Sequence, residues 1–232
     1  MADWVGFWDT DHPIYVNARH REVHNALIAA DIRSHLPAGS PVVLDYGCGE
    51  ALHAPLIAPA TGRLILCDAA PKLLAALRAR YASDGRIEAH SPDEIAALPD
   101  GSLDVVVMQS VAQYLSPEEA DRLFVLFRRL LKPDGLFMLG DIIQPDVSAI
   151  REIITLLRFA AANGFLFAAL RGLVRTALSD YPKLRSSLGL TRYSEADMFA
   201  KLRRAGFSTS RADKNVGHDQ ARMTFISRPA QS

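Results

Sequence analysis

Val42-Val43-Leu44-Asp45-Tyr46-Gly47-Cys48-Gly49-Glu50-Ala51 is the stretch that decides how the rest of the chain is read. Val42 to Asp45 is a short apolar run closed by an acid, which suits a strand buried in a parallel sheet. Gly47 and Gly49 then let the backbone turn tightly where a Cβ would meet a bound ligand. The helix that follows points its N-terminal amides at the same place, which favours a carboxylate or phosphate. The spacing predicts that helix near Leu52 to Ala60, short or irregular because of Pro55 and Pro59.

Outward from this turn, strand and helix alternate. Leu64 to Cys67 reads as a second strand ending at Asp68, and Pro71 to Tyr81 as a helix with Pro71 in its first turn. Arg86 to Ala89 is a weaker third strand, followed by a short helix from Asp93 to Leu98. Leu103 to Met108 is rich in β-branched residues and reads as the fourth strand. Ser116-Pro117-Glu118-Glu119 supplies an N-cap, a first-turn proline and early acids for a helix reaching about Leu131. Lys132 to Gly135 is a turn and Leu136 to Leu139 the fifth strand. Thr209 to Lys214 and Ala221 to Ser227 read as a final antiparallel hairpin at the sheet edge. The expectation is an α/β, doubly wound, mostly parallel seven-stranded sheet. Ligands of such sheets lie beyond the carboxyl ends of the strands, where Asp45, Asp68 and Gln109 fall.

Three segments stand outside this alternation. Residues 1–36 read as an irregular arm with Trp4, Phe7 and Trp8, then a polar helix reaching about His35. Residues 37–146 and 191–232 make the nucleotide-binding domain. Residues 147–190 form a helical lid insert, broken at Asn163-Gly164, with Ser194 to Ala205 a later helix. The insert carries Arg151, Arg158, Arg171 and Arg175 around an uncharged stretch from Phe159 to Leu170. It reads as a lid packed on the domain or on a second copy in a homodimer. The other reading is a substrate tunnel or a face at a membrane surface.

Two acids and a leucine narrow the ligand. A dinucleotide turn needs a third small residue where this chain has Leu52. Asp45 would repel a pyrophosphate but can receive the ammonium of an amino acid, directly or through water. Asp68, about twenty residues after the glycines, can accept both hydroxyls of a ribose or merely cap the next helix. S-adenosylmethionine (SAM) has both an amino-acid end and a ribose.

VVLDYGCGEA, LILCDAAP, LDVVVMQSVAQYL and LLKPDGLFML together resemble, in order and spacing, the motifs of class I SAM-dependent methyltransferases, especially the type 11 group, over about residues 40 to 140. The resemblance implies a Rossmann-like methyltransferase fold with SAM as cofactor. It places Asp45, Gly47, Cys48 and Gly49 at the methionine end, Asp68 on the ribose and Ala69 beside the adenine. Ser91 and Pro92 stand where the group usually has a Gly-Asp pair at the adenine, so a backbone or apolar contact is implied there. Gln109 and Ser110 lie beside the reactive methyl. Members often fold an N-terminal arm over the cofactor; Tyr15 would cover it and Arg19 would reach its carboxylate. The two share a helix face if the helix starts early.

Methyl transfer from a sulfonium needs alignment of the acceptor and exclusion of water. A base is required only where the acceptor loses its proton early. His20, His24, His53 and His218 are the candidates, with Tyr114 as a positioning group. No metal is expected, because the histidines are scattered. Cys48 and Cys67 sit in no metal-ligand spacing and read as reduced, buried thiols. With 26 basic and 26 acidic residues there is no net field toward nucleic acid. The first residues have no signal-peptide pattern and no run is long enough to span a membrane, so a cytoplasmic location is expected, with peripheral membrane contact left open. The resulting expectation is a methyltransferase acting on a small apolar or aromatic acceptor. The rivals are a non-catalytic SAM-binding partner subunit, an enzyme acting on lipid at a membrane surface, a nicotinamide-dependent oxidoreductase, and a methyltransferase of protein or RNA.

Overall fold

Strand β1 (Val42–Tyr46) is an interior strand of a seven-stranded sheet whose middle position is taken by β4. On one side it pairs in parallel with β2 (Arg63–Cys67), which pairs with β3 (Ile87–His90). On the other side lie β4 (Leu103–Gln109) and β5 (Leu131–Ile142), both parallel. The order is β3-β2-β1-β4-β5-β7-β6, with β6 (Phe207–Arg211) and β7 (Met223–Pro229) closing the sheet. β7 runs antiparallel between β5 and β6. The expected mostly parallel, doubly wound sheet is therefore present, though only β6 of the final hairpin occupies the edge. The computed structural model describes residue 6 and residues 15–177 and 189–231. Trp4, Phe7 and Trp8 of the arm, and residues 178–188 of the insert, lie outside the described residues.

Each strand alternates its apolar side chains between two cores, because successive Cβ atoms point to opposite faces. Val43, Leu64, Leu66, Val105 and Val107 face a layer containing Ile28, Ile32, Ile57 and Leu77. Leu44, Ile65, Val106 and Phe137 face Phe124, Phe127, Met198 and Leu202. Helix α1 (Ala18–His35) begins after Asn17, whose side chain accepts the His20 amide. After the glycine turn, Pro55 and Pro59 limit the chain to α2 (Ala54–Ile57) and a 3₁₀ turn (Ala58–Ala60). α3 (Pro71–Arg80) and α4 (Pro92–Ala96) follow β2 and β3. α5 (Pro117–Leu130) starts at Ser116, with a reciprocal cap between Ser116 and Glu119. The insert forms α6 (Ala149–Ala162) and α7 (Leu166–Ala177), separated at Asn163-Gly164 as expected. α8 (Glu195–Arg204) leads back into the sheet.

Candidate active site

The turn after β1 is tied down from three sides. The amides of Gly47 and Cys48 both donate to the Cys67 carbonyl at the end of β2, at 2.7 and 3.0 Å. The Gly49 amide donates to Asp68 Oδ2 at 2.9 Å, and the Ala70 amide to Asp68 Oδ1 at 2.9 Å. His53 Nε2 meets Asp45 Oδ2 at 2.8 Å, with both residues buried. Gly47 and Gly49 have φ of +73° and +57°, which L side chains rarely adopt. A Cβ on Gly47 would come within 2.4 Å of Val111, whereas one on Gly49 meets nothing within 4 Å. Asp68 therefore caps the turn into α3 and braces the glycine turn as well. Burial pushes its carboxyl above the usual range, against the pull of the amides of Ala70 and Gly49.

These residues fit SAM. Open space lies over Gly49, and Asp68 has further lone pairs after accepting two amides. Asp45 keeps Oδ1 outside its bond to His53. Ala69 is exposed beside Asp68. Ser91 caps α4, its hydroxyl accepting the Glu94 amide ahead of Pro92. That role accounts for a Ser-Pro pair at this position.

A second constellation stands at the ends of β4 and β5. Ser110 and Asp141 have φ of +59° and +62°, strained for residues with a Cβ. Ser110 Oγ donates to Asp141 Oδ2 at 2.7 Å. Burial raises the Asp141 carboxyl pKa, with Arg222 and the Ser110 bond acting against it. Gln109 lies across Gly140, where a Cβ would fall 1.9 Å from Gln109 Oε1, and its Nε2 donates to the Val216 carbonyl. With His24, Glu152, Leu156, His218, Asp219 and Arg222, these groups line a cavity of about 230 Å³. A larger depression of about 320 Å³ lies between α8 and β6, lined by Phe199, Arg203 and Thr209 among others. It holds no carboxylate, imidazole or thiol, so the chemistry points to the smaller cavity.

The loop from 212 to 222 brings His218 there. The Asn215 amide donates to Gln220, its side chain binds the carbonyls of Val216 and Asp219, and Gly217 donates to Asp31 of α1. His218 stacks on Phe159 of α6 at 4.4 Å, and His24 lies 5.5 Å from His218. His20 stacks on Phe165 at 4.9 Å, with Tyr15 against both His20 and His24. Burial lowers the pKa of His20 to about 4 and of His24 to about 3. His218 is also lowered by burial, with Asp219 opposing. His53 is within electrostatic reach of His24, which joins this cluster to the glycine turn.

The expected pairing of Tyr15 with Arg19 on one helix face does not arise, because α1 begins at Ala18 and Tyr15 precedes its cap. Tyr15 Oη accepts from Asn25, and burial raises its pKa with a smaller push from Glu50 of the glycine turn. Arg19 is half-exposed and turns the other way, to Glu22 and the carbonyl of Asn163. His20, His53 and Tyr114 do not line the cavity. Cys48 and Cys67 are free and buried, and burial raises both thiols. Among the described residues no cluster of His, Cys, Asp and Glu is arranged to hold a metal ion. Sequence reading missed Asp141, Asn215 and Arg222. A polar residue at a strand end or in a loop reveals its burial only once the sheet order is known.

Residues 43–135 match a family model described as a methyltransferase domain. The chain carries a class I SAM-dependent methyltransferase domain. It is 36% identical over 123 residues to a Mycolicibacterium smegmatis protein named "Probable S-adenosylmethionine-dependent methyltransferase", covering 53% of this chain and 43% of that one. It is 32% identical over 118 residues to the ribosomal RNA large subunit methyltransferase G of Streptomyces coelicolor, covering 46% of this chain and 31% of that one. The chain thus spans less than half the length of these curated relatives. The methyltransferase domain has the fold of the solved DhpI-SAH complex, with a TM-score of 0.62 at 13% identity over 98% of this chain and 96% of that one.

Proposed function

We propose that the whole chain transfers the methyl group of SAM to a small acceptor held in the cavity between β4, β5 and the insert. One observation carries this reading. His24 Nδ1, His218 Nδ1 and Gln109 Oε1 are buried without a hydrogen-bond partner, and all three residues line that cavity. Leaving such an atom unpaired costs about 1–3 kcal/mol, so a polar ligand is favoured there, with an N–H or O–H to meet Gln109 Oε1. The charge balance narrows it further. Arg222 donates to Gln113 and Glu152 and lies 3.5 Å from Asp219, so its charge is matched, while its Nε is buried without a hydrogen-bond partner. With Asp141, Glu152 and Asp219 all present, an anionic acceptor is disfavoured. The acceptor proposed is a small neutral or basic ring compound with at least one N–H or O–H, more polar than composition alone suggests.

SAM supplies a methyl on a positively charged sulfur, and the chain's residues arrange what meets it. Asp45, Gly47, Cys48 and Gly49 hold the amino-acid end, Asp68 the ribose, and Ala69, Ser91 and Pro92 the adenine. Gln109 and Ser110 stand beside the methyl. Tyr15 covers the site from the arm side, while Arg19 serves by fixing α1 to the insert. His218 and His24, neutral because of burial, accept hydrogen bonds from the acceptor and orient it; Asp219 makes His218 the better proton acceptor. α6 and its Phe159 exclude water.

The test is a product assay with SAM and phenol, benzylamine or benzoate, read by mass spectrometry. Methylation of phenol or benzylamine but not benzoate is expected, lost in Gln109→Leu and His218→Phe while SAH affinity stays unchanged. SAH binding with no methylation of any probe would leave the non-catalytic partner reading standing. Methylation of a ribosomal RNA fragment instead would transfer the rRNA relative's chemistry to this chain.

A further inference from the structure

We infer that the outer face of α6 and α7 docks on an anionic membrane surface. Eight large apolar side chains are exposed among the described residues, and six of them lie on these two helices. Ile150, Ile153 and Ile154 follow one another at i, i+3 and i+4 on α6, so they share one stripe. Phe167, Leu170 and Val174 repeat this at i, i+3 and i+7 on α7, with Phe167 at 88% exposure. Arg151 and Arg158 on α6 and Arg171 and Arg175 on α7 are exposed as well. The only acid on either helix is Glu152, which pairs inward with Arg222 at 2.8 Å.

The inner side of the insert is already used. Phe159 stacks on His218, Phe165 on His20, and Gly172 lets α7 approach Val16 so closely that a Cβ would lie 2.7 Å away. The apolar stripes are therefore not a misplaced core face. Apolar side chains flanked by arginines, with no matching acid among the described residues of the two helices, suit lipid headgroups of negative charge. The apolar stems enter the acyl boundary and the guanidiniums meet the phosphates. Neither helix is long and apolar enough to cross a membrane, so the contact is with the surface. Glu152 and Leu156 of α6 line the cavity, so docking would bring the cavity close to the bilayer. Docking of this face does not depend on which acceptor the cavity takes.

Co-sedimentation of the full chain with vesicles tests it. The chain is expected to partition onto phosphatidylcholine vesicles doped with phosphatidylglycerol, to come off in raised salt, and to stay in solution with phosphatidylcholine alone. Phe167→Glu and, as a second variant, Val174→Glu should abolish partition. Arg158→Gln or Arg171→Gln should lower it about fivefold each. SAH calorimetry should read the same in all four variants. No partition onto phosphatidylglycerol overturns the inference, and so does partition that survives both glutamate variants. A dimer seen by light scattering without vesicles, and split by Phe167→Glu, also overturns it, because a second copy then covers the face.

Discussion

The two ends of the site are built on opposite plans. At the glycine turn, backbone amides and carboxylates are paired within the protein: Gly47 and Cys48 to Cys67, Gly49 to Asp68, and His53 to Asp45. At the cavity below α6, two imidazole nitrogens, an amide oxygen and the Nε of Arg222 are buried without partners. A paired site is rigid and suits one unvarying ligand. An unpaired site stores a desolvation cost that the right ligand removes, and so it discriminates. Five experiments can break this contrast or sharpen it.

The largest effect is expected for Gly47→Ala. It combines a φ of +73° with a Cβ 2.4 Å from Val111, a stiff β-branched side chain. Left-handed backbone and overpacking together should cost about 3 kcal/mol in urea unfolding. Gly49→Ala, strained but unobstructed, should cost about 1 kcal/mol. It should still weaken SAH in calorimetry, because its methyl enters the open space over the turn. Asp68 comes next. Asp68→Ala removes both braces and the proposed ribose contact, so SAH affinity should fall by about tenfold or more, with Asp68→Asn intermediate. Unchanged affinity in Asp68→Ala would leave Asp68 as a cap alone.

Gly140→Ala tests the other end. Its methyl would overlap Gln109 Oε1, so the amide must swing away from the cavity. Turnover should drop by about tenfold while SAH affinity holds. If both fall together, the two ends are not separable. The smallest effect is expected in pH. His20 at about 4 and His24 at about 3 lie below the usual value of 6.5. The unfolded chain therefore takes up protons first as pH falls. This contribution to stability is complete above about pH 6.5 and is lost as pH drops toward 4 and below. Asp68 and Asp141, raised by burial, act in the opposite sense. The difference between wild type and His24→Gln in melting temperature against pH isolates the histidine share. A slope that His24→Gln leaves untouched would show that His24 is not held neutral by burial.

The glycine turn and the acids proposed to hold the cofactor were legible because they are set by local sequence. Asp45, the two glycines and Asp68 stand at spacings set by one strand, one turn and one crossover. Pro55, Pro59, Ser116 and Asn163-Gly164 marked their helix boundaries for equally local reasons. The shared face of Tyr15 and Arg19 depended on an early helix start, and the Asn17 side chain instead caps the helix at Ala18. Asp141, Asn215 and Arg222 escaped because nothing local distinguishes them from solvated polar residues.

The order and spacing of apolar runs, glycines and acids by themselves determined the doubly wound sheet, the turn and its ligand class. Those features follow from backbone geometry over a few residues, which side-chain size and φ preference control directly. Only the tertiary structure decided that β7 inserts between β5 and β6. That placement carries the loop with His218 against α1 and under α6, and so assembles the cavity from residues more than a hundred positions apart. The physical reason is that burial, and with it the cost of an unpaired nitrogen or carboxylate, is a property of what packs around a residue.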